Sequence, residues 1–175
     1  KIMNKLTNKD ILKTSLNSDG ILRLSLNNPN NQNTLSEDMM LNLQSALNES
    51  IQDKKTRVII ISAEGPIFSA GHDLKELKAK RQNSDKGKAY FNDVMTKCSK
   101  LMQTIVKNPK PVIAEVAGVA TAAGCQLVAS CDLAYAGKSS KFATPGVNIG
   151  LFCSTPMVAL SRNITNKHSM EMLLT

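Results

Sequence analysis

The sequence of 175 residues is 42% hydrophobic and carries a formal net charge of +8 at neutral pH. This length suits one domain over residues 1–175, and no break in composition argues for a second. The apolar runs are too short to span a bilayer, and Lys5, Lys9 and Asp10 stand where a signal peptide needs apolar residues. We therefore expect a soluble protein without a visible targeting segment.

Charge and composition narrow the class of partner. The excess of positive charge favours a polyanion, which could be nucleic acid, membrane headgroups or a phosphorylated small molecule. Only 3% of the residues are aromatic and none is Trp, so stacking on single-stranded nucleic acid is poorly supported. We expect the small molecule, with neither nucleic acid nor membrane as partner. The four cysteines lack C-x-x-C spacing, which predicts buried, reduced thiols and no metal site.

The first part of the chain predicts a hairpin, a helix and a strand. Apolar alternation on both sides of Gly20 predicts a β-hairpin that begins near residue 11, followed by an Asn-rich loop over residues 27–33. Ser36 is a suitable N-cap for the next helix. Its apolar face comprises Met39, Met40, Leu43, Ala46, Leu47 and Ile51. The β-branched residues 58–61 then predict a central strand covered on both faces.

The later part of the chain alternates helices with strands. Periodicity, Gly and Pro predict, in chain order, a loop over residues 68–73, helices over 74–81 and 90–105, a strand over 111–116, a helix from about Ala122 and a strand over 132–136. Such alternation is typical of parallel β-α-β units. The predicted class is therefore α/β.

Two segments place small residues and free peptide N–H groups where a strand runs into a helix. They are FSAGHDLKEL at residues 68–77 and AGVATAAGCQ at residues 117–126. The first N–H groups of a helix have no partner within it, and two such groups brought together form an oxyanion hole. The chain lacks G-x-G-x-x-G, P-loop and G-x-S-x-G motifs, so dinucleotide, P-loop and serine-hydrolase sites are not indicated.

Together with SCD at residues 130–132 and FATPGVNIG at residues 142–150, these segments resemble the enoyl-CoA hydratase/isomerase (crotonase) superfamily. The resemblance extends from about residue 11 to the end of the chain. It implies an α/β, crotonase-like (ClpP/crotonase) fold of repeated ββα units. It also implies that the chain stops before the C-terminal helices through which family members form homotrimers, often paired into hexamers.

The resemblance further implies a site for an acyl-CoA thioester. The two oxyanion-hole N–H groups of the family fall on His72 and Ala123, which are the candidate catalytic residues. The imidazole of His72 could also exchange a proton if it faced the ligand. The residues expected to contact or flank the coenzyme A portion are Asn33, Ala70, Asp73 and Lys75. Coenzyme A enters as part of the substrate, so we expect no permanently bound cofactor.

Several positions depart from the family's pattern. The two glutamates with which hydratases activate water fall on Gln126 and Gly146, neither of which can take a proton as a carboxylate does. Ser154 stands where dienoyl-CoA isomerases carry an acidic base. Cys153 lies near the tyrosine position of a decarboxylase. The expected hydratase activity is therefore weak or absent.

Nucleic-acid binding through the basic surface has the net charge in its favour but no recognisable motif. Three functions with an acyl-CoA ligand remain open. The first is an enzyme of fatty acid and acyl-CoA metabolism, a lyase or isomerase, that stabilises a thioester enolate without those glutamates. The second is a non-catalytic acyl-CoA binder. The third is a lyase similar to methylmalonyl-CoA decarboxylase, which resembles this chain in the histidine at the loop position of His72. The resemblance places any of them in the bacterial cytoplasm or the mitochondrial matrix.

Overall fold

A computed structural model describes residues 11–175, so Lys5, Lys9 and Asp10 lie outside the described residues. The strands are β1 (Leu12–Leu16), β2 (Ile21–Leu26), β3 (Val58–Ala63), β4 (Ile67–Ser69), β5 (Val112–Val116), β6 (Val119–Thr121), β7 (Leu133–Ala136) and β8 (Lys141–Ala143). The helices are α1 (Glu37–Gln52), α2 (Leu74–Lys80), α3 (Lys88–Val106), α4 (Ala123–Ser130), α5 (Ser154–Asn163) and α6 (Asn166–Leu174). None of these helices is long and apolar enough to cross a membrane.

The strands form two sheets. The larger sheet has the order β1-β2-β3-β5-β7, in which only the β1–β2 hairpin is antiparallel, and the smaller has the parallel order β4-β6-β8. Three consecutive units each send one strand to the large sheet and a short strand to the small sheet before a helix: β3-β4-α2, β5-β6-α4 and β7-β8-α5. The predicted α/β fold of repeated ββα units is confirmed.

Local signals in the first part of the chain act as predicted. Gly20 has φ +81° in the hairpin turn, where the side chain of Asn17 accepts hydrogen bonds from Asp19 and Ile21. The hydroxyl of Ser36 caps α1 by accepting the Met39 N–H. The residues of α1 that are fully buried against the sheet and α3 are Met39, Leu43 and Leu47.

The central strand β3 lies between β2 and β5 as predicted. Among the described residues, however, only one face of this strand is covered by other elements. Ile59 and Ile61 are fully buried on the inner face, whereas Ile60 on the outer face is partly exposed. On that outer face, Arg23 of β2 donates two hydrogen bonds to the carboxylate of Glu115 of β5, at 2.9 and 3.0 Å. The expectation of cover on both faces was wrong because a charged pair of the flanking strands occupies the outer face.

The short strands β4, β6 and β8 were missed. Phe68 and Ser69 lie in β4 although residues 68–73 were predicted to be a loop. A strand of three residues is too short to show the alternation that distinguishes a strand from a loop. These strands nevertheless set the site, because β4 and β6 pair in parallel and lead into the two predicted motifs.

Three of the cysteines are buried as predicted. Burial raises the pKa of Cys98 and Cys125 to about 11 and that of Cys131 to about 12, and all four thiols are free. A thiol with such a pKa stays protonated at neutral pH and is a poor nucleophile. These side chains therefore serve as small apolar groups of the core.

The residue before β6, Gly118, provides a test of the packing between the ββα units. Gly118 has φ +90°, and an added Cβ would lie 1.9 Å from the carbonyl oxygen of Pro66. We expect Gly118→Ala to lower the free energy of unfolding by about 3 kcal/mol or more, measured by urea denaturation. Gly150→Ala is the control, since Gly150 has φ +73° but no atom within 4 Å of an added Cβ. Equal losses in the two variants would contradict a steric role for Gly118.

Candidate functional site

The two predicted motifs meet at Gly71 and the first residue of α4. An added Cβ on Gly71 would lie 2.9 Å from the peptide nitrogen of Ala123 and 3.0 Å from the Cβ of Ala122. Gly71 has φ +88°, a conformation that side chains rarely adopt. The residue before His72 thus touches the start of α4, and only glycine permits this approach.

The N-terminus of α4 is buried and has no side-chain cap. Ala123, Gly124 and Cys125 are all buried, and no side chain accepts a hydrogen bond from this first turn. The N–H of Ala123 has no acceptor within residues 11–175. A buried N–H without a partner is rare, and the helix dipole adds partial positive charge at this end. The turn is therefore suited to an oxygen atom that carries negative charge.

The turn into α4 is strained. Ala122 has φ 50° and ψ −123°, a conformation that non-glycine residues avoid at a cost of about 1–3 kcal/mol. Its N–H donates to the carbonyl of Ala143 at the end of β8. Two residues later, an added Cβ on Gly124 would lie 2.3 Å from the carbonyl oxygen of Ser69, so α4 packs directly on β4. These contacts fix the direction in which the Ala123 N–H points.

His72 presents both a peptide N–H and an unpartnered ring. The Leu35 N–H donates to the carbonyl of Gly71 at 2.7 Å and holds the loop, while the His72 N–H has no acceptor among the described residues. Both ring nitrogens are buried without a partner in the same part of the chain. Burial lowers the pKa of His72 below its usual 6.5, and the Leu35 backbone opposes this only in part. The imidazole is therefore neutral at neutral pH.

The carboxylate of Asp73 caps α2. It accepts hydrogen bonds from the Asn31 amide at 2.6 Å and the Lys75 N–H at 2.8 Å, with longer ones from Thr34 and Glu76. Burial raises the pKa of Asp73, but these four hydrogen bonds lower it overall. The side chain is thus an engaged, ionised cap, and a ligand contact from this residue would use its backbone.

The side chain of Asn33 is likewise engaged within the chain. Asn33 is fully buried with φ 49°; its Oδ1 accepts the Asn28 N–H at 2.7 Å, and its Nδ2 donates to the carbonyls of Glu64 and Ile67 at 2.9 and 2.7 Å. It ties the loop before α1 to the segment between β3 and β4. Asn33 therefore positions the loops beside the site, and its amide would have to give up one of these bonds to contact a ligand.

Ala70 is partly exposed in the loop between β4 and α2, and Lys75 follows that loop. The Ala70 N–H donates to the carbonyl of Gln32 at 3.1 Å, so a contact from Ala70 to a ligand would use its carbonyl. Lys75 is exposed in the first turn of α2. The exposed basic side chains that follow it are Lys78, Lys80 and Arg81. This surface can meet phosphate groups without losing an internal ion pair, since none of these side chains forms one with the described residues.

The two positions that depart from the family's glutamates lie in different surroundings. Gln126 is 8% exposed, and its Oε1 has no partner among the described residues. An added Cβ on Gly146 would lie 2.4 Å from the carbonyl oxygen of Leu151 and 2.6 Å from Sγ of Cys153. A side chain at position 146 therefore requires its neighbours to move. Ser154 is exposed at the start of α5.

Comparison with known proteins gives the family. The sequence profile of Enoyl-CoA hydratase/isomerase matches residues 17–175. The chain belongs to the enoyl-CoA hydratase/isomerase family. It is 56% identical, over 156 residues, to the mitochondrial enoyl-CoA hydratase domain-containing protein 3 of Xenopus laevis, an alignment that covers 89% of this chain and 51% of that protein.

Solved structures of enoyl-CoA hydratase/isomerase family members have the same fold. The crystal structure of human enoyl-CoA hydratase domain-containing protein 3 superposes with a TM-score of 0.85 at 52% identity, covering 93% of this chain and 62% of that one. The crystal structure of an enoyl-CoA hydratase of Mycobacterium smegmatis superposes with a TM-score of 0.87 at 45% identity. The superposition covers 94% of this chain and 62% of that one. The predicted family and crotonase-like fold are confirmed. The chain spans about half the length of the curated relatives it matches.

Two features of this enoyl-CoA hydratase/isomerase family member gave no usable sequence signal. Alanine is not associated with positive φ, so the strain at Ala122 could not be predicted. A groove of about 680 Å³ lies between α3, α4 and α5 and is lined in part by Gln126. Its walls come from segments far apart in the sequence, whose helical stripes predicted only core packing.

The engaged amide of Asn33 gives a test of its positioning role. Asn33→Ala would remove three partly buried hydrogen bonds, to the Asn28 N–H and to the carbonyls of Glu64 and Ile67, so we expect the free energy of unfolding to fall by about 3 kcal/mol. Gln32→Ala is a matched control, because Gln32 has a similar φ of 54° and an exposed side chain. Urea denaturation of both variants measures the difference. If Asn33→Ala cost no more than Gln32→Ala, the hydrogen bonds would not be stabilising.

Proposed function

We propose that this chain binds an acyl-CoA thioester and stabilises its enolate with the peptide N–H groups of His72 and Ala123. The observation that carries the proposal is the buried, uncapped N-terminus of α4 in contact with Gly71. A thioester carbonyl oxygen placed there would accept hydrogen bonds from both peptides. Each donor aimed at the developing oxyanion contributes about 3–4 kcal/mol to its stabilisation.

The remaining loop residues suit the coenzyme A portion of the substrate. Lys75, exposed in the first turn of α2, is placed to meet a phosphate, and the free carbonyl of Ala70 can accept a hydrogen bond from an adenine amino group. Asp73 holds the start of α2 by accepting the Lys75 N–H, and Asn33 ties the neighbouring loop to Glu64. A net charge of +8 favours such a polyanionic ligand.

Membership of the family supports a proposal about the cellular role. We infer a role in fatty acid and acyl-CoA metabolism for the whole protein, acting as a homotrimer or a hexamer. The relatives named enoyl-CoA hydratase domain-containing protein 3 are described as mitochondrial, which favours the mitochondrial matrix over a bacterial cytoplasm. Its activity would be that of a lyase or isomerase which does not depend on the two glutamates.

A second candidate is a non-catalytic acyl-CoA binder. It is favoured by the packing at Gly146, where the space of a catalytic side chain is already filled by Leu151 and Cys153. Gln126 lacks a carboxylate as well. Both candidate functions need the same two peptide donors. Binding of an acyl-CoA therefore tests both functions together, and turnover of the bound thioester distinguishes the enzyme from the non-catalytic binder.

Gly71→Ala tests the binding site. The added methyl would lie against the Ala123 nitrogen and block the approach of a carbonyl oxygen. We expect calorimetric titration to show that acetyl-CoA binds the unsubstituted chain and binds Gly71→Ala about 10- to 100-fold more weakly, the equivalent of two hydrogen bonds. Gly150→Ala controls for backbone strain and should bind normally. Absence of binding to the unsubstituted chain would refute the proposal.

Hydration of crotonyl-CoA tests the missing carboxylates. Each absent acid/base group costs a factor of about 10² to 10⁴, so we expect hydration to be slow or undetectable in a spectrophotometric assay. Gln126→Glu returns one carboxylate and should raise the rate about tenfold or more, whereas Gly146→Glu should not, because position 146 has no room. Rapid hydration by the unsubstituted chain would show that other groups activate water.

A further inference from the structure

Half of the net charge of the chain lies in one short segment, residues 78–88. Its five cationic side chains and its single acid, Asp85, give a net charge of +4, whereas the whole chain carries +8. The five cations, all exposed, are Lys78, Lys80, Arg81, Lys86 and Lys88. Such a concentration of one sign of charge on a surface attracts a polyanion.

The fold brings the two ends of this segment together. Helix α2 ends at Lys80, and Gly87 lies just before the start of α3. Gly87 has φ +85°, and an added Cβ there would lie 3.0 Å from the carbonyl oxygen of Lys80. The cations at the end of α2 and those at the start of α3 therefore lie side by side. They form a basic surface, which comprises Lys78, Arg81, Lys86 and Lys88.

The four cations of the basic surface have no acidic partner within residues 11–175, since none of them takes part in the ion pairs found there. The acid of the segment, Asp85, accepts the Gly87 and Ala89 N–H groups at 2.9 Å each, so its carboxylate is engaged at the start of α3. Lys80 differs from the four, because its ammonium lies 5.3 Å from the centre of the Tyr90 ring. The charge of the basic surface is thus available to an external anion.

An apolar side chain protrudes beside these cations. Leu74, the first residue of α2, is 73% exposed. It precedes Lys78 by one turn, so both side chains lie on the same side of the helix. Glu76 lies on the opposite side and accepts the Glu37 N–H of α1, which directs Leu74 and Lys78 away from the body of the protein. A leucine among cations suits a lipid surface, where apolar groups and phosphates lie close together, better than it suits a nucleic acid.

We propose that the basic surface and Leu74 dock the chain on a membrane that contains anionic lipids. The four cations contact lipid phosphates, and Leu74 enters the boundary between the headgroups and the acyl chains. The docking is peripheral, so no helix needs to cross the bilayer. Composition alone predicted no membrane partner, because this charge becomes one surface only when the fold joins the two ends of the segment. Lys75 is left to the coenzyme A portion of the proposed substrate.

Sedimentation with lipid vesicles tests the docking. We expect the chain to bind vesicles of equal parts phosphatidylglycerol and phosphatidylcholine about 100-fold more tightly than vesicles of phosphatidylcholine alone. This preference should disappear in about 1 M salt, which screens the charges. Lys86→Ala combined with Lys88→Ala should weaken binding to the anionic vesicles about 25-fold, the loss of two cations near the lipid surface.

The matched control removes two exposed lysines elsewhere, Lys54→Ala combined with Lys55→Ala. These residues follow the far end of α1, about 24 Å from the end that contacts Glu76, so their removal should change binding by less than about twofold. Leu74→Ala probes the apolar contact and should weaken binding about fivefold without changing the charge.

The outcomes distinguish a membrane from other anions. Equal binding to the two kinds of vesicle, or equal losses in the two lysine pairs, would refute the docking. Tighter binding to a single-stranded RNA than to the anionic vesicles would assign the basic surface to nucleic acid and overturn the proposal. Release from the vesicles by coenzyme A would mean that these cations belong to the acyl-CoA site. Calorimetric titration with acetyl-CoA should be unchanged by the Lys86 and Lys88 substitutions, so docking and the proposed function can fail separately.

Discussion

The contact between Gly71 and the first residue of α4 is the constraint on which the site depends. Three glycines allow the ββα units to approach each other: Gly71 at Ala123, Gly124 at Ser69 and Gly118 at Pro66. At each one, an added Cβ would lie within 3 Å of a backbone atom of the facing segment. The site is thus formed by backbone segments in close contact. It brings peptide groups together, whereas many enzyme sites bring reactive side chains together.

This arrangement is energetically unfavourable in the absence of a ligand. Ala122 is strained, and the buried N–H of Ala123 next to it has no acceptor among the described residues. Each feature costs about 1–3 kcal/mol. Such costs persist where the surrounding structure enforces them, here through the Ala122–Ala143 hydrogen bond and the packing of α4 on β4. Unfavourable backbone features that lie side by side are typical of ligand-binding sites, which supports the proposed role of this turn.

The sequence predicted elements whose signals are local and failed where tertiary contacts decide. Gly20 and Ser36 mark a turn and a cap through their own chemistry, so both were correct. The strands β4 and β6 were missed because their pairing, not their composition, makes them strands. The resemblance predicts that Asn33 lies beside the pocket, and the fold adds that its amide donates to the carbonyls of Glu64 and Ile67. Resemblance locates a residue along the chain, but only the fold shows which atoms remain free.

The polar groups left at the site limit the chemistry that it can perform. The Asp73 carboxylate is ionised but engaged as the cap of α2, so it is not available as a base. The Gln126 amide can accept a hydrogen bond, but it does not exchange protons as a carboxylate does. The titratable group with free nitrogens beside the two peptide donors is the neutral imidazole of His72, whose lowered pKa allows it to accept a proton only from a more acidic group. A thioester enolate held by two N–H groups is less basic than one in water, because the donors stabilise its charge. Under the proposed function, these groups would favour reactions in which the substrate itself supplies the leaving group or proton.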